Sequence, residues 1–263
     1  VDGYGSNETL YSSGSEINQP IKSLIIRGNS IYTIADGTSW NAAQTSAKKL
    51  GGHLATVNSA EENIFVFKNF GIDQSTQKTI SSGYWIGLTD QEVEGTWKWI
   101  SGEDVIWINP SSFKPEGVYG YEPNGNGDHV WVKAGFAQPD VTYEEFVSHV
   151  NESWSKSNEP FWGENEEALW DERGPNWDDT WESGEGTNYG VSETQFIRRG
   201  DSAYVIVEGP TWEEAEANAN KLGGHLVTIN DAEENKWLVE TFESQENYYN
   251  NDNTLGDNYF IGL

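Results

Sequence analysis

"RGNSIYTIADGTSWNAAQTSAKKLGGHLATVNSAEEN" (residues 27–63) decides the fold, because the chain carries it twice. "RGDSAYVIVEGPTWEEAEANANKLGGHLVTINDAEEN" (residues 199–235) aligns with it without a gap at an offset of 172, with more than half of the 37 positions identical. A period that long indicates a duplicated domain and not a solenoid turn. Each copy can be read locally. "SIYTI" alternates and is β-branched, which predicts a strand. Trp40, Ala43, Ala47 and Leu50 then recur at helical spacing, and Gly51 and Gly52 stop the helix. "SAEE" from Ser59 and "DAEE" from Asp231 supply an N-cap and an N3 acid, so each opens a second helix. His53 and His225 share the junction GGHL and are read as packing residues, with no chemistry assigned.

A shorter echo frames the repeat. "YGSNET" (residues 4–9) matches "YGVSET" (residues 189–194), and "YWIGL" (84–88) matches "YFIGL" (259–263). The expected organisation follows. Residues 1–10 are the closing strand of a preceding repeat, 11–24 a linker and 25–194 a complete domain with an insertion near 138–170. Residues 195–263 are the N-terminal half of a second domain. The absence of methionine and the break inside a motif point to a piece of something longer.

Composition narrows the partners. With 43 acidic and 15 basic residues the net charge is −28, which repels nucleic acid and anionic membranes and attracts cations. Such charge would suit a disordered chain, but 13 Trp, 12 Tyr and 10 Phe can build a core. Without cysteine, neither disulfides nor thiolate metal sites exist. No apolar run approaches the ~18 residues of a membrane span, so no membrane insertion is expected.

One acidic stretch has two readings. "YEPNGNGDHVW" (residues 121–131) places Glu122, Asn124, Asn126 and Asp128 close together, with Pro123 between the first two. Pro, Gly, Asn and Asp are ordinary turn residues, so a solvated turn is one reading. An oxygen cage for a hard cation is the other.

GGHLATV, an acidic helix start, YWIGL, EPN and then the Trp-Asp-Asp of "NWDD", in that order, resemble a C-type lectin-like domain. The resemblance covers residues 25–194 fully and 195–263 as a first half. The chain is similar to tandem, cysteine-free, bacterial-type members; the disulfides of animal members are missing. It implies an α+β C-type lectin-like fold: two helices, small antiparallel sheets, chain ends close together and a long calcium-binding loop. It also implies a Ca2+ site made by Glu122, Asn124, Asp128, Asp178 and Asp179, with Pro123 cis. Asp128 stands where the family usually has Glu, and Asp178 where it has Asn. Calcium takes 6–8 oxygen ligands, and these five side chains can supply most of them. Four are carboxylates, whose mutual repulsion a cation would relieve.

The insertion adds a second feature. Between residues 152 and 185 lie 11 acids, 2 bases and five tryptophans: Trp154, Trp162, Trp170, Trp177 and Trp181. Before it, Tyr143, Phe146, Val147, Val150 and Trp154 share one face of an expected helix opened by Asp140. These rings build a local core, or one or two of them stack on a ligand.

The functional expectation is a calcium-dependent carbohydrate-binding module in an extracellular or cell-surface, adhesin-like repeat protein. Its EPN site would be of the mannose/glucose type, with Glu122, Asn124, Asp178 and Trp177 touching the glycan. The alternative is a protein-binding or structural repeat in which calcium only orders the long loop. No enzyme is expected, because the carboxylates cluster and no nucleophile–base pair is visible.

Overall fold

The computed structural model describes residues 24–72, 83–107, 127–133, 176–180, 189–242 and 259–262. The segment matching YGSNET, the expected linker apart from Leu24, the EPN residues and the expected helix after Asp140 lie outside them.

The first unit begins as a hairpin. β1 (Leu24–Arg27) pairs antiparallel with β2 (Ser30–Asp36), in the register Leu24↔Thr33 to Arg27↔Ser30. α1 (Trp40–Lys49) follows, capped by the Ser39 hydroxyl, which accepts from the Ala42 amide at 3.2 Å. It buries Trp40, Ala43 and Ala47, three of the positions that the helical spacing singled out, and Leu50 at its C-cap is buried as well. Gly51 then adopts φ 77°, where only glycine is at ease.

β3 (His53–Leu54) leads into α2 (Ala60–Phe70), whose start is the predicted cap. The Ser59 hydroxyl accepts from the Glu62 amide at 3.1 Å, and the Glu62 carboxylate accepts from the Asn58 amide at 3.0 Å. Such a reciprocal cap satisfies donors that a helix start otherwise leaves open.

β4 (Tyr84–Thr89) is the central strand. Its successive side chains divide between two cores, as a pleat requires. Tyr84, Ile86 and Leu88 enter the larger cluster with Val66, Phe67 and Phe70 of α2. Trp85 enters the smaller one with Trp40, Ala43 and Ala47 of α1. Each large apolar side chain buried in this way stabilises the fold by roughly 1.5–3 kcal/mol. β5 (Lys98–Trp99), β6 (His129–Lys133), β7 (Asn176–Thr180) and β8 (Tyr189–Gln195) complete the sheet.

The strand order is β1-β2-β8-β4-β6-β7, with β3 attached to β8 and β5 to β4. β8 pairs with β2 along seven residues, from Ser30↔Gln195 to Asp36↔Tyr189, and runs parallel to β4 at Trp85↔Gly190. Gly190 has no room for a side chain, since a Cβ there would lie 2.3 Å from Leu54 Cδ2. The last strand of the unit thus returns beside its first hairpin, and the Phe196 amide donates to Asn29 O at 2.9 Å. The two ends meet, as expected.

The remaining elements repeat the opening order. β9 (Ile197–Arg199) and β10 (Ser202–Tyr204) form a hairpin, followed by α3 (Trp212–Lys221) and α4 (Ala232–Phe242). The Asp231 carboxylate caps α4 by accepting from the Glu234 amide at 2.8 Å. Burial does not repeat. α2 buries Asn63, Val66, Phe67 and Phe70, whereas α4 buries no residue.

Candidate cation and ligand site

Two strands position the part of the expected site that lies within the described residues. β6 enters directly after Asp128 and pairs antiparallel with β7, in the register His129↔Thr180, Val130↔Asp179 and Trp131↔Asp178. The backbone therefore sets Asp178 and Asp179 on the strand beside β6, ~4.8 Å across, with Asp128 at the entry to β6, two residues along from the Asp179 pairing. Glu122 and Asn124 fall outside the described residues.

The backbone of Asp128 is held from β4. Its carbonyl accepts from the Thr89 hydroxyl at 2.6 Å and from the Asp90 amide at 3.2 Å. The next residue is locked as well. His129 is buried, with Nδ1 3.0 Å from the Thr89 hydroxyl and its ring stacked on Trp40 at 4.4 Å and 4°. A half-buried carboxylate on so fixed a backbone can serve a cation at little ordering cost.

Asp90 lies beside it. Its Oδ2 accepts from the Gly95 amide at 2.8 Å, while Oδ1 is buried with no hydrogen-bond partner among the described residues. Burial raises its pKa first, and the nearby Asp128 charge adds to this. The oxygen donors expected here suit a hard cation such as calcium. Among the described residues alone, no cluster of three or more His, Asp or Glu side chains could hold a metal.

Trp177 requires a correction. It was expected to touch ligand, but it is only 2 % exposed. Its Nε1 donates to Asn63 Oδ1 at 3.0 Å, and Trp99 and Trp107 meet it edge-on at 6.0 and 5.2 Å. The ring belongs to the core between α2 and the sheet, so no face remains to stack on a sugar. His53 is half-buried with Nδ1 2.9 Å from Leu54 O, in keeping with a packing role.

A second polar group was not singled out from sequence. The Tyr32 hydroxyl donates to Glu193 Oε1 at 3.0 Å and lies 3.3 Å from Glu62 Oε1, with Arg27 Nη1 3.0 Å from the same Glu62 oxygen. Glu193 Oε2 also accepts from the Thr56 amide at 3.3 Å. Desolvation raises the Glu62 pKa, and so does the neighbouring Glu193, while the Asn58 amide and Arg27 oppose them. Burial and both carboxylates push the Tyr32 hydroxyl far up, so it stays a donor. The only sequence signal was that the members recur: Arg199, Tyr204 and Glu234 repeat Arg27, Tyr32 and Glu62.

Two helices over a sheet whose closing strand returns beside the first, with a long connection between β4 and β7, constitute a C-type lectin-like fold. Residues 36–135 match the family described as "Lectin C-type domain". Among curated proteins, the chain is 40 % identical over 75 residues to C-type lectin domain family 4 member F of Mus musculus, covering 28 % of this chain and 12 % of that protein. It is 30 % identical over 123 residues to hepatic lectin of Gallus gallus, covering 44 % and 52 %. It is 31 % identical over 141 residues to asialoglycoprotein receptor 2 of Homo sapiens, covering 52 % and 40 %. The chain thus spans about half or less of the length of these relatives.

Proposed function

We propose that residues 25–194 form a complete calcium-dependent carbohydrate-binding module of mannose/glucose type, and that 195–263 are the first half of a second. Glu122, Asn124, Asp128, Asp178 and Asp179 would hold the cation. The observation that supports this is the β6–β7 register, which sets the "NWDD" strand beside the strand entered through Asp128. The relatives named as lectins and as an asialoglycoprotein receptor support a glycan partner. They also fit an extracellular or cell-surface location, and the tandem repeat fits an adhesin-like array.

Calcium, when bound, would supply open coordination positions for two neighbouring sugar hydroxyls. The chain's own residues would decide which hydroxyls fit. Asn124 can donate through its amide, whereas ionised Glu122, Asp178 and Asp179 only accept. A protein-binding or structural role is the second reading. It is favoured by the burial of Trp177, which removes the ring expected to stack on a sugar.

The test is thermal unfolding with calcium and with chelator. Extracellular calcium modules typically bind with Kd on the order of 10⁻⁴–10⁻³ M, so millimolar calcium should raise Tm by linkage. Glu122→Gln with Asp179→Asn should abolish that rise; a rise of unchanged size means that the cation sits elsewhere. Calorimetry with mannose at saturating calcium separates the sugar reading from the protein-binding one.

A further inference from the structure

The two units of the repeat touch, and their contacts come in exchanged pairs. At the offset of 172, Glu208 is the copy of Asp36 and Lys221 the copy of Lys49. The Glu208 amide donates to Lys49 O at 2.9 Å, and Lys221 Nζ lies 3.6 Å from Asp36 Oδ2. The end of β2 thus meets the end of α3, and the copy of that strand end meets the end of α1. The glycines just past the two helices follow suit. A side chain on Gly51 would run into Ile206 O, and one on Gly223 would lie 3.7 Å from Leu24 Cδ1. Each glycine faces the other unit.

Contact of one residue with a second, repeated with the roles exchanged, is the mark of an isologous interface built about a two-fold axis. The covalent connection does not impose it. Phe196 alone separates β8 from β9, and it is buried, with its amide on Asn29 O. So short a tether keeps the units close but leaves open which of their faces meet. The exchanged contacts choose the face.

The first unit makes its half of the interface with its sheet closed. Asp36 pairs with Tyr189 of β8 while it meets Lys221. Thr194 of β8 lies 3.8 Å from the Cβ position of Gly51, beside Ile206. The edge that β8 covers and the face that meets the other unit are therefore different surfaces. Antiparallel pairing gives the same answer for the backbone, since bonds to one neighbour use alternate residues. The Phe196 bond to Asn29 O directs residues 31, 33 and 35 toward β8, which turns the Asp36 amide away from it. Its copy, the Glu208 amide, is the one that reaches Lys49 O.

We propose that this face, made by Asp36, Lys49 and Gly51 on one unit and by Glu208, Lys221 and Gly223 on the other, is a self-recognition surface. It holds the two units in one fixed, roughly two-fold orientation, and the partner it fits is a second copy of the unit. The ion pair is half exposed, so it adds little stability and serves to select the register. The separation is set by the backbone bond and by the bare Gly51, where any side chain would push the units apart. An interface of this kind closes on itself, so it pairs units and cannot run on along a row of them.

Cross-linking of the whole chain with a carbodiimide, which joins an amine to a carboxylate with loss of water, tests this by mass spectrometry. In an equimolar mix of light and heavy isotope forms, Asp36 and Lys221 should be joined within single chains, at a yield independent of protein concentration. Glu92–Lys98 and Lys236–Glu240, pairs that lie within single units, serve as internal standards. Glu208→Pro removes the amide donor without touching either reacting group. It should lower the Asp36–Lys221 yield several-fold relative to both standards. In the native chain the Glu208 amide should exchange with deuterium at least about 10-fold slower than unpaired backbone. A missing Asp36–Lys221 link beside a normal Glu92–Lys98 link would overturn the proposal. So would a link found only between light and heavy chains, or an unchanged yield in Glu208→Pro. If that variant also loses the Lys236–Glu240 standard, the native chain decides, and a Glu208 amide that exchanges at the unpaired rate overturns the proposal.

Discussion

The Tyr32 hydroxyl donates to Glu193 at 3.0 Å, joining the first hairpin to the closing strand across 161 positions of sequence. The same hydroxyl sits 3.3 Å from Glu62 at the start of α2, so one phenol ties three elements together. Its removal should be costly. A hydrogen bond to a charged group contributes about 1.5–3 kcal/mol. Tyr32→Phe should destabilise the first unit by about that much, read as a lower denaturant midpoint with unchanged slope. A loss under ~0.5 kcal/mol would mean that the two acids are satisfied without the phenol.

The pH dependence of stability follows from Glu62 and Asp90, whose pKa values are both raised in the fold, chiefly by burial. Raised acids bind protons more tightly when folded, so their destabilising effect is full above the folded pKa. It fades as pH falls towards the unfolded values of ~3.9–4.3. Across that window their contribution should favour the folded state on acidification, against the usual trend for paired carboxylates. Glu62→Gln should flatten the stability–pH curve there, as measured by urea melts between neutral pH and the unfolded value.

Trp177 is predicted to matter for folding and not for sugar. Trp177→Phe removes the donor to Asn63, which is itself buried, and part of a packed ring cluster. A lost hydrogen bond typically costs about 0.5–1.5 kcal/mol, and the lost ring packing adds to it, so Tm should fall clearly. Glycan affinity at saturating calcium should be unchanged below the melt; a selective loss of affinity would return the ring to the ligand site.

Asp178 is predicted to act on cation and sugar in opposite directions. Ionised Asp accepts hydrogen bonds and cannot donate them, unlike the Asn that the resemblance leads one to expect. Asp178→Asn should weaken calcium binding and tighten mannose binding several-fold, in keeping with one regained hydrogen bond of ~0.5–1.5 kcal/mol. Calorimetry of both ligands on both proteins gives the answer, and parallel weakening of the two would place Asp178 outside the sugar contact.

The two units should also differ in autonomy. Residues 24–196 contain the closed sheet and both cores, and should unfold in one cooperative transition. Residues 197–263 expressed alone keep an open strand edge and an α4 without buried residues, and should aggregate or show no cooperative melt. A sharp transition from that segment would show that it folds on its own.

What the sequence determined by itself is whatever short-range chemistry dictates. Ser59 and Asp231 cap the helices that follow them because a side-chain oxygen needs to reach only three residues along the chain. Trp40, Ala43, Ala47 and Leu50 are buried because a helix repeats its face every 3.6 residues. The motif order from GGHL to NWDD carried the fold class for the same reason, each motif being a local element. Tertiary structure alone decided what depends on a distant neighbour. Trp177 is placed at the ligand site by its motif in an acidic, Trp-rich stretch, yet Asn63, 114 positions away, takes its N–H into the core. Nothing local in the sequence marks Asp90, yet burial and Asp128 raise its pKa. α2 and α4 share the opening AEEN and the closing Phe, yet α2 buries four residues and α4 none, because burial depends on what packs against a helix as much as on the helix itself.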